Sequence, residues 1–248
     1  MDHKNLRQIG AGGHVSESRT REPQYDEFVD MSESGRIASL GPMAGGTWNL
    51  DPKRLVFTLS RYKFVAKMLE GQSRVVEVGC ADGFASRIVR QSVRSLTGVD
   101  FDETFIDCAK SQANADWPIE YMVHDLVSEP LPSRYSAAYL LDVLEHIRPQ
   151  DEERFLLHLA ESLDVDGVAI IGMPSLESQP YASPASREGH VNCQSAPQFR
   201  ATMEKHFRVV FMFSMNDEVV HTGFHKMANY LFAIGVIPHR VDCADLFD

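Results

Sequence analysis

The sequence predicts an α/β fold in which a doubly wound, mostly parallel sheet carries helices on both faces. Three observations lead to this prediction. Short β-branched or apolar runs alternate with segments of helical period from residue 74 to residue 173, and such alternation is typical of parallel sheets. A turn of small residues follows the first run at 79–83, and an acid, Asp100, ends the next run. Ligands of such sheets bind at the carboxyl ends of the strands, so these residues mark the expected site.

Each element follows from a local pattern. Residues 51–70 are predicted to form a helix, because Asp51 and Pro52 suit a helix start and apolar residues then recur at helical spacing. The predicted strands are residues 74–79, 95–100, 119–124, 136–141 and 167–173. The predicted helices between them are residues 83–93, 103–113 and 151–163. Residues 174–195 are expected to form a long connection, and a helix near 196–206 with apolar segments 208–214 and 228–237 completes the sheet.

Chain length favours a single domain with an N-terminal extension. The 248 residues can bury one full α/β core, and a second independent domain would be a tight fit. Residues 1–46 have few aliphatic side chains in any period and include a Gly and Ala run at 10–13. We therefore predict a flexible tail or lid over residues 1–46 and the functional domain over residues 47–248.

Composition limits the class of partner and the compartment. A net charge of −11 argues against general binding to nucleic acid, which depends on clustered Lys and Arg. No apolar run approaches the roughly 18 residues of a membrane span, and the first residues lack a signal-peptide core. We expect a cytoplasmic protein that binds neither nucleic acid nor membrane, with its oligomeric state open. The cysteines at 80, 108, 193 and 243 are widely spaced, which predicts reduced thiols and neither a zinc site nor a disulfide framework.

The turn at residues 79–83 predicts a nucleotide-cofactor site. Small residues let the chain turn sharply and let backbone amides approach a ligand, and Asp100 can accept hydrogen bonds from a ribose. A nicotinamide oxidoreductase is weakened as an alternative, because the position that needs a small residue for helix packing is Phe84. An ordinary strand, turn and helix without a ligand is the other alternative.

Two segments together resemble a known family. Glu77 followed by Gly79, Ala81 and Gly83 resembles motif I of class I S-adenosylmethionine-dependent methyltransferases, with Ala81 in place of the middle glycine. The segment from Asp142 to His146 resembles the D-x-L-E-H signature after the fourth strand of that family. The chain is most similar in pattern to small-molecule enzymes of the ubiquinone-biosynthesis O-methyltransferase type.

The resemblance implies a Rossmann-like methyltransferase fold, the cofactor S-adenosylmethionine, its product S-adenosylhomocysteine, and a set of contacts. In that family the glycine turn holds the methionyl part, the acid after the second strand holds the ribose, and an acid after the third strand holds the adenine amino group. Phe101 is expected to pack against adenine, with core packing as an open alternative. The predicted cofactor-binding residues are Glu77, Gly79, Cys80, Ala81, Gly83, Asp100, Phe101, Asp125, Leu126 and Asp142.

Methyl transfer requires alignment of the acceptor and, for a hydroxyl, removal of its proton. His146, at the end of the fourth strand, is the predicted general base, with His190 and Glu145 as further catalytic residues. Orientation of the neighbouring loop is an alternative role for His146. Some relatives bind a divalent metal at this signature, which would implicate Asp142, Glu145 and His146. We nevertheless expect no metal and expect activity to survive chelation.

The long connection predicts the chemistry of the acceptor. It carries the hydrogen-bonding side chains Tyr181, Arg187, His190 and Asn192. These favour a small polar acceptor, and we expect O-methylation of a sugar or nucleotide-linked sugar. N-methylation of a small amine and a non-catalytic, cofactor-binding regulatory role remain the alternatives. An N/D-P-P-Y/F segment, which would indicate methylation of nucleobase or glutamine nitrogen, is absent from the sequence.

Overall fold

Eight strands form one sheet within residues 40–240. The computed structural model describes residues 19–240, which divide into two units, residues 19–39 and residues 40–240. The first unit contains helix α1 (Asp26–Glu33). The helices of the second unit are α2 (Pro42–Leu50), α3 (Pro52–Met68), α4 (Ser86–Arg90), α5 (Glu103–Ser111), α6 (Pro149–Glu161), α7 (Pro184–Gly189) and α8 (Ala196–Glu204). Its strands are β1 (Arg74–Val78), β2 (Ser95–Asp100), β3 (Glu120–Val123), β4 (Tyr135–Leu141), β5 (Leu163–Pro174), β6 (Phe207–Asn216), β7 (Val219–His221) and β8 (Tyr230–Pro238).

The strand order is β3-β2-β1-β4-β5-β8-β6-β7. β1 pairs in parallel with both β2 and β4, and β3 and β5 extend the parallel part on either side. β8, β6 and β7 add an antiparallel edge beyond β5. The order runs outward from β1 in both directions, so a crevice lies between the carboxyl ends of β1 and β4. The predicted α/β class and mostly parallel sheet are confirmed.

Apolar side chains bury both faces of the sheet. In β4, Ala138 and Leu140 belong to one hydrophobic cluster, and Tyr139 and Leu141 belong to the other. Strands buried on both faces have near-continuous apolar sequences. β1 follows the same rule except at Glu77, a buried acid among valines. The core thus fixes the strand ends that carry the site.

Several boundaries differ from the sequence prediction. The compact unit begins at Leu40 instead of residue 47, and α1 and α2 are helices where irregular structure was predicted. Gly45 and Gly46 obscure the helical pattern of α2, because glycine is a poor helix former. α4 has only five residues, since much of the predicted helix 83–93 belongs to the turn. The connection at 174–195 contains a 3₁₀ helix (Leu176–Tyr181) and α7.

Some predictions fall outside the described residues. These are the structure of residues 1–18, with the Gly and Ala run at 10–13, and the state of Cys243. Within residues 19–240, Cys80, Cys108 and Cys193 are free thiols. None of the helices in this range is both long and apolar enough to cross a membrane.

Candidate functional site

The turn after β1 has a shape that few residue types tolerate. Gly79, Ala81 and Gly83 have positive φ angles of 75°, 46° and 69°. This left-handed conformation suits glycine and costs other residues about 1–2 kcal/mol. Gly79 also has no room for a side chain, because a Cβ atom would lie 2.4 Å from Cγ2 of Val143. Backbone shape and close packing therefore explain the small residues of the sequence pattern.

Asp100 connects this turn to the end of β2. Its side chain is only 8% exposed. One carboxylate oxygen accepts a hydrogen bond from the Ala81 amide at 3.0 Å, and the other accepts from the Asp102 amide at 3.0 Å. Carboxylate oxygens can each accept more than one hydrogen bond. Asp100 can therefore hold the turn and still accept from ribose hydroxyls.

The three other residues predicted near adenosine have different surroundings. Phe101 is 76% exposed, so the alternative of core packing is wrong and its ring face is open to a ligand. The exposed Asp125 accepts hydrogen bonds from the Val127 amide and the Ser128 hydroxyl within its own turn. The side chain of Leu126 lies in the hydrophobic core, so only its backbone could reach a ligand.

Glu77 supports the turn from inside the core. Its two carboxylate oxygens accept hydrogen bonds from the hydroxyls of Tyr62 and Tyr139, each at 2.7 Å. Burial raises the pKa of Glu77, and these hydroxyls oppose the shift. The neighbouring Cys80 is also buried, and burial raises the pKa of its thiol. The predicted cofactor residue Glu77 therefore lies in the core beneath the turn, where it is hydrogen-bonded to two tyrosines.

A cavity of about 280 Å³ lies beside the turn, at the crevice between β1 and β4. Its walls come from α2, α3, the turn, the segment after β4, and the loop that carries His190. Asp100, Phe101 and Asp125 are not among its walls. Its lining includes Met43, Ala44, Thr47, Arg61, Ala81, Asp82, Phe84, Asp142, Glu145, His146 and His190. The structure therefore divides the predicted residues into two sets. One set lines the cavity, and the other set, Asp100, Phe101 and Asp125, is predicted to hold adenosine and lies outside the cavity.

Arg61 occupies this cavity wall and was missed by sequence reasoning. Its Nη1 atom donates to both carboxylate oxygens of Asp142, at 2.6 and 2.9 Å. Its guanidinium also lies over the ring of Tyr230, 3.8 Å from the centroid. Burial lowers the pKa of Arg61, but the charge of Asp142 and the smaller raising contributions together exceed that effect, so the pKa stays above its ordinary value. Asp142, a predicted cofactor residue with a positive φ of 57°, therefore has a cationic partner.

Glu145, His146 and His190 form a cluster across the cavity. One ligand-type atom from each of them lies within 4.8 Å of the others. Glu145 is fully buried, and neither carboxylate oxygen has a hydrogen-bond partner among the residues described. Burial, and then the charge of Asp142, raises the pKa of Glu145 well above its ordinary value. The structure thus brings together the three residues predicted to be catalytic.

The two histidine rings use the same nitrogen in their hydrogen bonds. The Nδ1 atom of His146 lies 2.8 Å from the Gly189 carbonyl oxygen, and that of His190 lies 2.9 Å from Oε1 of Gln179. Because both partners are acceptors, each Nδ1 carries the proton and each Nε2 has a free lone pair. Burial, and then the proximity of His146, lowers the pKa of His190. His190 is therefore neutral at neutral pH.

The remaining residues of the long connection divide by role. Asn192 donates to Glu152 of α6 at 2.6 Å and so anchors the loop. Tyr181 is 90% exposed and lines a second cavity of about 670 Å³, which shares Arg61 and His190 with the first. Arg187 is exposed and lines neither cavity. Of the four acceptor residues predicted from the sequence, Tyr181 and His190 thus line the second cavity, and His190 lines the first as well.

Comparison with known proteins agrees with this geometry. A family model described as a methyltransferase domain matches residues 75–167, the segment that holds the turn, Asp100 and the cluster's first two residues. A probable S-adenosylmethionine-dependent methyltransferase of Mycobacterium tuberculosis is 28% identical over 103 residues, covering 41% of this chain and 35% of that protein. The chain carries a class I S-adenosylmethionine-dependent methyltransferase domain. The family, fold and cofactor predicted from the turn are confirmed.

One further relative and one solved structure resemble this methyltransferase domain. The mitochondrial ubiquinone biosynthesis O-methyltransferase of Schizosaccharomyces pombe is 27% identical over 181 residues, 68% of this chain and 62% of that protein. The chain thus spans less than two thirds of that relative. The N-methyltransferase NodS of Bradyrhizobium japonicum, solved with S-adenosyl-L-homocysteine, has a TM-score of 0.59 at 16% identity and covers 84% of this chain and 98% of NodS. This second likeness concerns the fold.

The residues of the methyltransferase domain fit S-adenosylmethionine. The turn forms one wall of the cavity, and the cavity provides space for the methionyl part. Asp100 and the exposed ring of Phe101 lie at the end of the adjacent strand, where a ribose and an adenine would be held. Contact of the cofactor with the turn, Asp100, Phe101 and Asp125 therefore stays a prediction.

A divalent cation also fits part of the methyltransferase site. The unpartnered carboxylate of Glu145 and one ring nitrogen each of His146 and His190 form a mixed oxygen and nitrogen donor set. Both histidines have their Nδ1–H groups oriented by oxygen acceptors, as metal-binding histidines usually do. Asp142, the remaining member of the family signature, is bound by Arg61. The expectation of a metal-free site stays a prediction, and the cluster defines the ligand set of the alternative.

Proposed function

We propose that this protein transfers a methyl group from S-adenosylmethionine to a hydroxyl oxygen of a small polar acceptor, such as a sugar or a nucleotide-linked sugar. One observation carries the proposal. The imidazoles of His146 and His190 and the buried carboxyl group of Glu145 line the same cavity as the cofactor turn. Such groups can accept the proton of a hydroxyl and hydrogen-bond its oxygen during methyl transfer.

The roles of the residues follow from their contacts. When bound, the cofactor supplies a methyl group already activated for transfer, so the protein must align the acceptor and take its proton. His146 accepts that proton at Nε2 while the Gly189 carbonyl holds its Nδ1–H group. His190, neutral at neutral pH, accepts a hydrogen bond from the acceptor. Burial raises the pKa of Glu145 well above its ordinary value, which favours the protonated form as a hydrogen-bond donor. Asp142 and Arg61 form an ion pair in the wall of the same cavity.

The second cavity supports a polar acceptor of some length. It continues from His190 past Arg61 to Arg54, Gln179 and Asn229, which offer both donors and acceptors. The exposed ring of Tyr181 at its rim suits stacking against a sugar or base face. We therefore infer that the reacting hydroxyl lies at the shared wall and that the rest of the acceptor extends into the second cavity.

The decisive experiment is a transfer assay with methyl-labelled S-adenosylmethionine. The purified protein is incubated with a panel of UDP- and dTDP-linked sugars, with free catechols and with small amines, and labelled products are identified by mass spectrometry. A labelled methyl group on an oxygen of a sugar supports the proposal. Label on nitrogen supports the N-methylation alternative. Cofactor binding without transfer to any member of the panel contradicts the enzymatic proposal and favours a regulatory role.

Asp100→Ala is expected to weaken both S-adenosylmethionine and S-adenosylhomocysteine by about 10- to 150-fold, because charged hydrogen bonds of this kind contribute roughly 1.5–3 kcal/mol. Calorimetric titration measures the effect. Since Asp100 also holds the Ala81 amide, thermal melting must show that the variant is folded. Asp100→Asn keeps an acceptor oxygen, so its cofactor affinity is expected to lie between those of the parent and the alanine variant. Unchanged affinity in the folded alanine variant would contradict the ribose assignment.

Chelation tests the metal alternative directly. With His146 as the base, turnover is expected to be unchanged after dialysis against EDTA, because the free Nε2 atom needs no ion to accept a proton. Turnover is measured before dialysis, after dialysis, and after addition of Mg²⁺ or Mn²⁺. Loss on chelation with recovery on adding one ion would contradict the base role and assign Glu145, His146 and His190 as ligands. Cofactor affinity, measured in parallel, serves as the control.

A further inference from the structure

Helix α2 is held by a residue of the cofactor turn. Its first amides, those of Met43 and Ala44, both donate to Oδ2 of Asp82 at 2.9 Å. The residue before the helix, Gly41, packs directly on Asp82, because a Cβ atom there would lie 2.3 Å from the Asp82 Cβ. Asp82 itself is 5% exposed. One carboxylate thus satisfies two helix-end donors across nearly forty residues of sequence.

α2 depends on this contact more than most helices do. It has nine residues, of which Gly45 and Gly46 are poor helix formers, and its own N-cap side chain is absent because that residue is Gly41. Short helices are marginal without tertiary contacts. A negative charge at the helix start also favours the helix dipole. The order of α2 is therefore tied to the position of Asp82.

The same helix closes one side of the cofactor cavity. Met43, Ala44 and Thr47 of α2 line it together with Ala81 and Phe84 of the turn. Asp82 lies between these two walls, and its second oxygen, Oδ1, accepts from the Phe84 amide at 3.2 Å. Any ligand that fixes the turn also fixes the carboxylate that holds α2.

We propose that Asp82 is a positioning residue that couples cofactor binding to closure of α2 over the methionyl end of the cavity. Asp82 acts through the helix, and the residues of α2 make the contacts that retain the cofactor. The inference rests on the cofactor site and is independent of the acceptor named under the proposed function. Its failure can therefore be distinguished from failure of that proposal, because S-adenosylhomocysteine alone is the probe.

Hydrogen exchange and dissociation kinetics test the coupling. In the unaltered protein, S-adenosylhomocysteine is expected to slow amide exchange in residues 42–50 as well as in residues 79–83. In Asp82→Ala, protection of 79–83 is expected to persist while protection of 42–50 is lost. Dissociation of S-adenosylhomocysteine is expected to become on the order of 10-fold faster, as loss of charged hydrogen bonds to a helix end implies. Asp82→Asn, which keeps an acceptor oxygen, should recover part of the difference.

Two further variants make the result decisive. Gly41→Ala inserts a methyl group between α2 and an intact Asp82, so it should reproduce the fast dissociation and the exposed helix, even if Asp82→Ala does not fold. Ser195→Ala removes a hydroxyl that bonds Gln198 at the start of α8, at 2.7 Å, far along the chain from both cavity walls, and should leave dissociation unchanged. The proposal is overturned if the ligand never protects 42–50 in the unaltered protein. It is also overturned if both position 41 and position 82 variants release the ligand at the parental rate, or if protection of 79–83 is lost together with that of 42–50.

Discussion

Gly79→Val is expected to abolish binding of S-adenosylmethionine and S-adenosylhomocysteine. The φ angle of Gly79 is 75°, a region that costs a β-branched residue about 1–3 kcal/mol. A Cβ atom would also lie 2.4 Å from Val143 Cγ2, and such overpacking costs about 1–3 kcal/mol more. If the turn shifts to relieve this strain, the cavity wall that it forms changes shape. We expect a loss of on the order of 100-fold or more in affinity, measured by calorimetry.

Ala81→Gly provides the matched control in the same turn. Ala81 has a φ angle of 46°, so glycine removes a left-handed strain of about 1–2 kcal/mol. Greater freedom in the unfolded chain offsets about 0.4–1 kcal/mol of that gain. The variant should therefore bind cofactor like the parent and melt at a similar or higher temperature. Parental affinity in both variants would contradict the assignment of the turn, while thermal melting shows whether the valine variant is folded.

His146→Ala is expected to lower turnover by about 10²- to 10⁴-fold, the usual contribution of a general base. Its Nε2 atom is the free acceptor of the ring because Nδ1 donates to Gly189. Cofactor affinity should be nearly unchanged, since the predicted adenosine contacts Asp100 and Asp125 do not line the cavity that contains His146.

His190→Ala should also preserve cofactor affinity and lower turnover, with a smaller effect because it hydrogen-bonds the acceptor and does not take its proton. His221→Ala is the control, since His221 bonds Asn216 at 2.9 Å and lies outside the first cavity. Turnover with an acceptor identified by the transfer assay is the measurement. If the two cavity variants lose cofactor binding, or if both turn over like the parent, the proposed roles are wrong.

Local pattern was sufficient for most of the framework. The alternation of apolar runs and helical periods predicts β1 to β5 and their order of appearance, because strands buried on both faces must be apolar throughout. The small residues at 79, 81 and 83 and the acid at 100 predict the cofactor turn, since the required backbone shape admits few side chains. The same reasoning misplaced α2, where Gly45 and Gly46 suppress the helical signal and tertiary contacts supply the stability.

The sequence by itself therefore determined the fold class, the cofactor family and the strand ends that carry the site, since each depends on neighbours in the chain. Only the tertiary structure decided the partners of the charged groups. Arg61 meets Asp142 across 81 positions, and Asp82 meets α2 across 38 and 39 positions. Glu77 lies behind the turn with two tyrosines, while Glu145 is buried without a partner. No local pattern encodes these differences, because burial and ion pairing depend on which distant surfaces the fold brings together.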